Sequence, residues 1–433
     1  MSVHLAKGAR DFLPEAMNRR QRVIGIVTDV FERFGFEQLQ TPAFERLETL
    51  TGKYGDEGEG LMFKILKRGE AGKRGEADLA LRYDLTVPLA RVMAMNQGLR
   101  LPFKRYQVQP VWRADRPQRG RFREFYQCDV DIVGCETMAA DAECLAVAEA
   151  GLTALGFEGF TIRLNHRGIL SAITRVAGVA ELETSVLVAV DKLDKIGREG
   201  VDKELRERGV PVAAIERLWA LWDVPMGEQL DHLDRELDHA GRAAVAELRE
   251  VLTYAEAMGV EPYHVAVDTT LARGLSYYTG PVFEATLDGA GLGSVAGGGR
   301  YDGLVGMFSG RDVPAVGVSL GLERLITVLD ERGKLDDVSS SSTVLVTVFS
   351  DETRAASFCF ATHLRRAGVP CRVSLKARGK LGKQFKAAQA WRIPWVATLG
   401  PDEIAGSQVT LKRLATSEQV TVSWDEAVRR LGR

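Results

Sequence analysis

FKRYQVQPVWRADRPQRGRFREFYQCDVDIV, residues 103–133, reads as two strands and a turn. The flanks, 103–112 and 122–133, are rich in aromatic and β-branched residues. Between them, RADRPQRGR (113–121) is polar and holds Pro and Gly, so the pattern predicts a long antiparallel hairpin. Eight basic residues and one acid stand between Arg100 and Arg123. Arg113 closes the first strand; Arg121 and Arg123 open the second. A planar guanidinium on a rigid sheet suits a phosphate ester, because it can bind two oxygens at once. The tip, Arg116-Pro117-Gln118-Arg119, suits a second polyanion such as an RNA end. A merely solvated hairpin would have the same composition. On the second strand Gln127, Asp129 and Asp131 share one parity and so one sheet face. With Asp84 they suit a small cationic or hydrogen-bonding substrate, or simply form the wet face of an antiparallel sheet.

Upstream of the hairpin, residues 15–35 read as an amphipathic helix ending at Gly35. FEQLQTPAFE (36–45) follows as a strand interrupted at Pro42. LALRYD (79–84) is extended, and a helix starts near Thr86-Val87-Pro88. Downstream, residues 137–155 form an Ala-rich helix. Residues 177–259 show apolar residues at helical spacing, for example Leu230, Leu233 and Leu237. Three further motifs lie beyond. LARGLSYYTGPVFE (271–284) sets Arg273, Tyr277 and Tyr278 among glycines. GSVAGGGRYDGL (293–304) is neither a P-loop nor G-x-G-x-x-G before a helix, so its glycines mark a close backbone approach to a ligand or a tight turn. GVSLGLERL (317–325) places Arg324 in the first turn of a helix, where a cation opposes the dipole and a phosphate partner gives it a reason to be there. After the Ser-rich KLDDVSSSS (334–342), strands and helices alternate as in a small α/β domain.

The chain has 433 residues, 45% apolar and 27% charged, an ordinary globular composition. At about 150 residues per domain it suggests roughly three domains. The net charge of -2 excludes a uniformly basic nucleic-acid binder, yet it hides an asymmetry. Residues 343–433 carry 15 Lys/Arg and 7 Asp/Glu; residues 177–259 carry 10 and 18. A local basic block fits a polyanion partner or a soluble surface. Five cysteines without C-x-x-C, and six histidines without H-x-x-x-H, argue against a disulfide framework, a zinc ribbon and a transition-metal enzyme. No apolar run approaches the ~18 residues of a membrane span. MSVHLAKGARDF lacks a secretory h-region, so a cytoplasmic location and no membrane partner are expected.

Together these residues resemble the histidyl-tRNA synthetases, a family of class II aminoacyl-tRNA synthetases. FGFEQLQTPAFE resembles motif 1, the dimer-forming element, and the hairpin resembles motif 2. AVGVSLGLERL resembles motif 3. LARGLSYYTGPVFE and AGGGRYDGL are similar to the family's own signatures, and KLGKQFKAAQAWRIPWVATLG resembles its anticodon-binding domain. The resemblance implies an α+β catalytic core with an antiparallel sheet (1–170 and 258–330), a helical insertion (171–257) leaning on the tRNA acceptor stem, a linker (331–342) and a C-terminal α/β anticodon-binding domain (343–433). It implies that histidine and ATP, with Mg²⁺, give histidyl-adenylate, and that the histidyl group passes to histidine tRNA on a homodimer.

By the same resemblance Arg113, Arg121 and Arg324 hold ATP, and Arg113 and Arg273 stabilise the transition state. Asp84, Thr86 and Gln127 take the α-amino group. Asp131, Tyr278 and Tyr301 form the ring pocket, Tyr277 also binds histidine, and Arg273 meets the carboxylate. Arg116, Gln118, Arg119 and Arg123 face the tRNA acceptor end. The chain departs from common bacterial forms at Asp84 and Asp131, where Glu is usual, and at Ser276, where the signature has an acid. An inactive, synthetase-like regulatory protein that binds histidine or tRNA is the alternative; retention of Arg113, Arg273 and Arg324 counts against it. A synthetase for another amino acid is a third reading, opposed by Tyr277-Tyr278 and AGGGRYDGL.

Overall fold

A computed structural model describes residues 3–225, 227–273, 277–336, 340–375 and 380–432. Ser276 and the centre of the Ser-rich stretch, 337–339, lie outside the described residues. The chain forms two compact units, Met1–Arg10 with Val23–Val328 and Asp11–Arg22 with Leu329–Arg433.

The first unit is built on an eight-stranded sheet. Its order is Glu37–Gln38, Phe103–Trp112, Glu124–Val133, Ala315–Gly321, Ala296–Arg300, Pro281–Leu287, Phe160–His166 and Val265–Val267. Neighbours run antiparallel except the outermost pair at each edge, which is parallel. The hairpin is as long as its pattern predicts, in unbroken register from Phe103↔Val133 to Trp112↔Glu124. Its loop is closed by a Gln118↔Arg121 bridge, and Gly120 takes the positive φ of 69° that the tight turn requires.

Strand parity separates the two faces of this sheet. Cys128, Val130, Ile132, Val318 and Leu320 are buried, on the side where the helix Ala139–Ala154 packs. That helix is apolar nearly all round because a second helix, His239–Ala257, also packs on it. The other parity is polar. Register sets Arg105 beside Asp131, Gln107 beside Asp129 and Gln109 beside Gln127. The next strand adds Gly317, Ser319 and Gly321 beside the same three residues.

Two local expectations change. FEQLQTPAFE is not one interrupted strand. Glu37–Gln38 edges the large sheet, whereas Phe44–Arg46 joins a separate three-stranded sheet with Ala77–Leu81 and Lys64–Leu66. Pro42 offers no N–H for a ladder. The buried Arg82 staples the crossing by donating to the Thr41 (2.7 Å), Pro42 (3.1 Å) and Pro110 (2.9 Å) carbonyls. The glycine run is not a turn either: Ala296–Arg300 is an interior strand. A Cβ on Gly298 would stand 2.0 Å from the Gly317 carbonyl oxygen, so the neighbouring strand excludes a side chain there.

Among the described residues, six α-helices from Arg167–Val176 to His239–Ala257 belong to the same unit as the sheet. Leu233 and Leu237 are buried as their spacing predicts; Leu230 is half-buried. The second unit carries a five-stranded sheet in the order Cys371–Val373, Val344–Val346, Trp395–Thr398, Gln408–Arg413 and Gln419–Ser423. The first three strands are parallel and the last two pairings antiparallel. Helices Arg354–Arg366, Leu381–Ala390 and Trp424–Leu431 complete this α/β fold around Val344, Val346, Phe360, Leu364 and Leu411.

Candidate active site

The polar face of the sheet carries a cluster of arginines at one end. Arg113, at the end of its strand, donates from Nε to the Tyr83 carbonyl at 3.0 Å and stacks 4.3 Å from the Tyr83 ring centroid. Both contacts fix the direction of the guanidinium. Arg273 donates to Glu284 (2.5 Å) and Ser294 Oγ (3.0 Å). Arg324, near the start of the helix Leu322–Glu331, donates to the Ser294 carbonyl. Burial lowers the pKa of Arg324, and repulsion from Arg121, Arg273 and Arg113 lowers it further. Four arginines from three separate motifs thus share one field, against Glu284 beside Arg273 and Asp115 beside Arg121. Such a concentration of positive charge is costly unless an anion occupies it.

Beside the arginines lies a buried acidic pocket. Asp131 pairs with Arg105 at 2.7 Å and accepts from the Tyr301 hydroxyl. Tyr277 and Tyr278 pack edge-on at 4.9 Å, and Tyr277 stands 6.2 Å from Tyr301. These rings ride on an apolar cluster of Leu50, Val87, Leu89 and Leu304. Burial raises the carboxyl pKa of both Asp131 and Asp129, against the pull of Arg105. Burial and the nearby Asp131 carboxylate hold the Tyr301 phenol well above its usual value; Tyr278 is pushed up to about 12. Both tyrosines are therefore hydrogen-bond donors at neutral pH.

Asp84 stands at the mouth of the helix Thr86–Met95. It accepts from the Val87 N–H (3.0 Å) and the Tyr54 hydroxyl (3.0 Å), so it ties down the first turn of the helix as well as facing the site. Burial raises its pKa, opposed by Val87, Arg113 and Tyr54. Thr86, the first residue of that helix, is half-buried beside it. Gln127 donates to Ser319 Oγ at 3.1 Å, while its Oε1 is buried and has no partner among the described residues.

The glycines make room for these side chains. A Cβ on Gly317 would meet Asp131 Oδ1 at 2.1 Å, and one on Gly297 would meet Arg273 Cζ at 2.7 Å. The hairpin loop is different. Arg116, Gln118, Arg119 and Arg121 are exposed, with Arg119 reaching the Ala290 carbonyl at 3.3 Å. Arg123 is half-buried and turned inward, donating to the Asp115 carbonyl at 3.1 Å. The chain reading passed over Arg105, Gln107 and Tyr54. Alternation of Arg105, Gln107 and Gln109 within FKRYQVQPVW would have placed the first two on the site face. Nothing local marks Tyr54.

An antiparallel sheet with arginines from the hairpin and from the last strand-to-helix junction defines a class II aminoacyl-tRNA synthetase. The histidyl-tRNA synthetase family model matches residues 8–325, and an anticodon-binding domain model matches 343–433. The chain belongs to the histidyl-tRNA synthetase family. It is 43% identical to the histidine–tRNA ligase of Aeropyrum pernix over 99% of this chain and 97% of that protein. It is 41% identical to that of Gloeobacter violaceus over 95% and 94%. The crystal structure of histidyl-tRNA synthetase from Nostoc superposes with a TM-score of 0.86 at 32% identity, covering 99% of each chain. A Bacillus halodurans structure titled as an ATP phosphoribosyltransferase regulatory subunit/histidyl-tRNA synthetase shares the fold (TM-score 0.75, 23% identity, 89% and 97% covered).

Proposed function

We propose that the chain is an ATP-dependent histidine–tRNA ligase that forms histidyl-adenylate and passes the histidyl group to the 3' end of histidine tRNA. The observation that carries this reading is the adjacency of the arginine field to the Asp131–Tyr301 pocket on one sheet face. The pocket binds the amino acid: Asp131 accepts from one ring nitrogen, the Tyr278 hydroxyl serves the other, and Gln127 Oε1 and Asp84 take the ammonium. The substrate carboxylate then lies toward Arg273 and Arg113, which hold it in line with the α-phosphate. Catalysis is positioning plus stabilisation of the charge that builds on the phosphate oxygens. Arg324 and Arg121 hold the outer phosphates, and water is kept from the adenylate by the tyrosine wall.

Among the described residues no cluster of three His, Cys, Asp or Glu could cage a metal ion. We propose Mg²⁺ as the cofactor, an ion that binds chiefly through nucleotide phosphates and one or two carboxylates. Glu284, which pairs with Arg273 at 2.5 Å, would be the carboxylate to hold it. The ion would neutralise charge on the leaving pyrophosphate. The exposed loop residues Arg116, Gln118 and Arg119 contact the acceptor end, and the basic C-terminal unit grips the anticodon stem-loop. We further propose a cytoplasmic homodimer, on the likeness of FGFEQLQTPAFE to the dimer-forming motif 1. Among the described residues no helix is long and apolar enough to cross a membrane. ATP–pyrophosphate exchange with each of the twenty amino acids tests the reading. Exchange with histidine alone is expected; exchange with another amino acid, or none, would overturn it.

A further inference from the structure

The buried partner of Asp131 has no role in the binding scheme above. Arg105 is fully buried, and its Nε and Nη1 have no partner among the described residues. Its Nη2 donates to the Leu85 carbonyl at 3.3 Å and stands 2.7 Å from Asp131. A buried guanidinium left this under-satisfied is costly, so its charge has to be offset where it sits.

Two carboxylates face this single cation. Asp129 and Asp131 lie on one strand face, and both feel Arg105. Only one of them can be ionised if the pocket is to balance. The geometry selects Asp131, which has the ion pair and the Tyr301 hydroxyl. Asp129 instead lies across from Gln107 in the register, and Gln107 Oε1 is a buried acceptor with no donor among the described residues. Among the described residues Asp129 has only a long contact from Gln127 Nε2 (3.4 Å) and the Ser319 hydroxyl, and burial, with repulsion from Asp131, pushes its carboxyl up to about 7 against the pull of Arg105.

The other groups around Asp131 carry no charge. Tyr301 and Tyr278 come from the segments flanking the glycine strand, and the buried Cys144 thiol lies behind the sheet on the helix Ala139–Ala154, close enough to feel the Asp131 charge. Burial pushes all three upward, so they remain protonated. On the adjacent strand the residue opposite Asp131 is Gly317, which has no side chain. Asp84 faces Asp129 from the helix mouth, and Arg273 faces Tyr278 from the arginine field.

We propose that Arg105 makes the pocket a reader of ring charge: paired with Asp131 it leaves the site electrically balanced, so the pocket takes the uncharged imidazole and rejects the imidazolium. Arg105 is a positioning residue that acts through Asp131. An uncharged ring also has the free lone pair needed to accept from the Tyr278 hydroxyl, which the imidazolium lacks. Without Arg105, Asp131 would be an unbalanced buried anion and would favour the charged ring.

The inference rests on the reading of the chain as a histidine-activating enzyme. The test uses pyrophosphate exchange by the full chain between pH 5.5 and 8.5. Two probes are compared: histidine, and its 1,2,4-triazole analogue, whose ring stays uncharged over this range. The ratio of their KM values cancels titrations of the protein itself. With a free-ring pKa of about 6.5, the neutral fraction of histidine falls roughly tenfold between pH 7.5 and 5.5, so the ratio should rise about tenfold. Arg105→Lys should keep the rise; Arg105→Met and Arg105→Gln should abolish or invert it. A flat ratio in the parent chain, or a rise preserved in either neutral variant, would overturn the proposal. If neither neutral variant folds, the parent ratio and the Arg105→Lys profile still decide it. Absence of any histidine-dependent exchange at pH 8 would sink the functional reading itself, a different result from a flat ratio.

Discussion

Gly297→Ala tests the claim that the glycine strand exists to seat an arginine. The new Cβ would stand 2.7 Å from Arg273 Cζ, 2.9 Å from Nη1 and 3.0 Å from Nε. All three are side-chain atoms, and the residue is about one-third exposed, so the guanidinium can move. Restoring an ordinary contact of about 3.4 Å requires a displacement of roughly 0.7 Å. The backbone of Gly297 is not in the left-handed region, so alanine is tolerated, and in a strand it stabilises by about 0.5–1 kcal/mol relative to glycine. A misplacement near 1 Å at a reacting centre costs about a hundredfold in rate. We therefore expect kcat for pyrophosphate exchange to fall about 30–100-fold, or about 2–3 kcal/mol, with Tm unchanged or slightly raised. The readouts are exchange kinetics and a thermal melt on one preparation. Exchange within threefold of the parent would refute the seating argument. A collapse of Tm would show that the glycine serves the backbone instead.

Other outcomes are equally specific. Asp131→Asn should raise the KM for histidine more than that for ATP, measured in the same exchange assay; the reverse order would place Asp131 elsewhere. Replacing Lys383 and Lys386 by Glu in the basic unit should weaken tRNA charging, more so at higher salt, while histidine activation is unchanged; equal loss in both assays would contradict that division. Arg300→Met should destabilise by about 3–5 kcal/mol in urea titration, because it leaves the fully buried Asp141 without its partner. Burial pushes Asp141 up to about 6, opposed by Arg300. The folded chain therefore takes its proton before the unfolded chain does, near 3.9. Its contribution to stability grows as pH falls from above 6 toward 4, by at most about 3 kcal/mol. Asp141→Asn should remove that slope from the pH dependence of the urea midpoint; an unaltered slope would assign it to other groups.

The hairpin was legible because its pattern is local: aromatic and β-branched runs around a Pro/Gly loop can hardly form anything else. The arginines were legible because a charge without an evident surface role stands out at a strand end or in the first turn of a helix. The glycine strand was not legible. Its residues have low strand propensity, and what requires glycine there is the closeness of Arg273, the Gly317 carbonyl and the Pro281 carbonyl, all distant in sequence. The division of FEQLQTPAFE between two sheets depends on Arg82, some 40 residues on, which no window around Pro42 contains. Arg105 was hidden by context. In a run already rich in basic residues, one buried guanidinium looks like its exposed neighbours.

The position of Ala315–Gly321 in the sheet has a consequence for synthesis on the ribosome. This strand pairs with the second arm of the hairpin, at Asp131↔Gly317 and its neighbours, yet it is the last strand of the sheet to be made. At ~5–20 residues per second, the residues between Val133 and Gly321 take roughly 10–40 s to appear. For that interval the hairpin presents a bare hydrogen-bonding edge next to Cys128, Val130 and Ile132. Nascent chains stalled before residue 315 should be insoluble or chaperone-bound. Chains released after residue 321 has cleared the exit tunnel should be able to close the sheet.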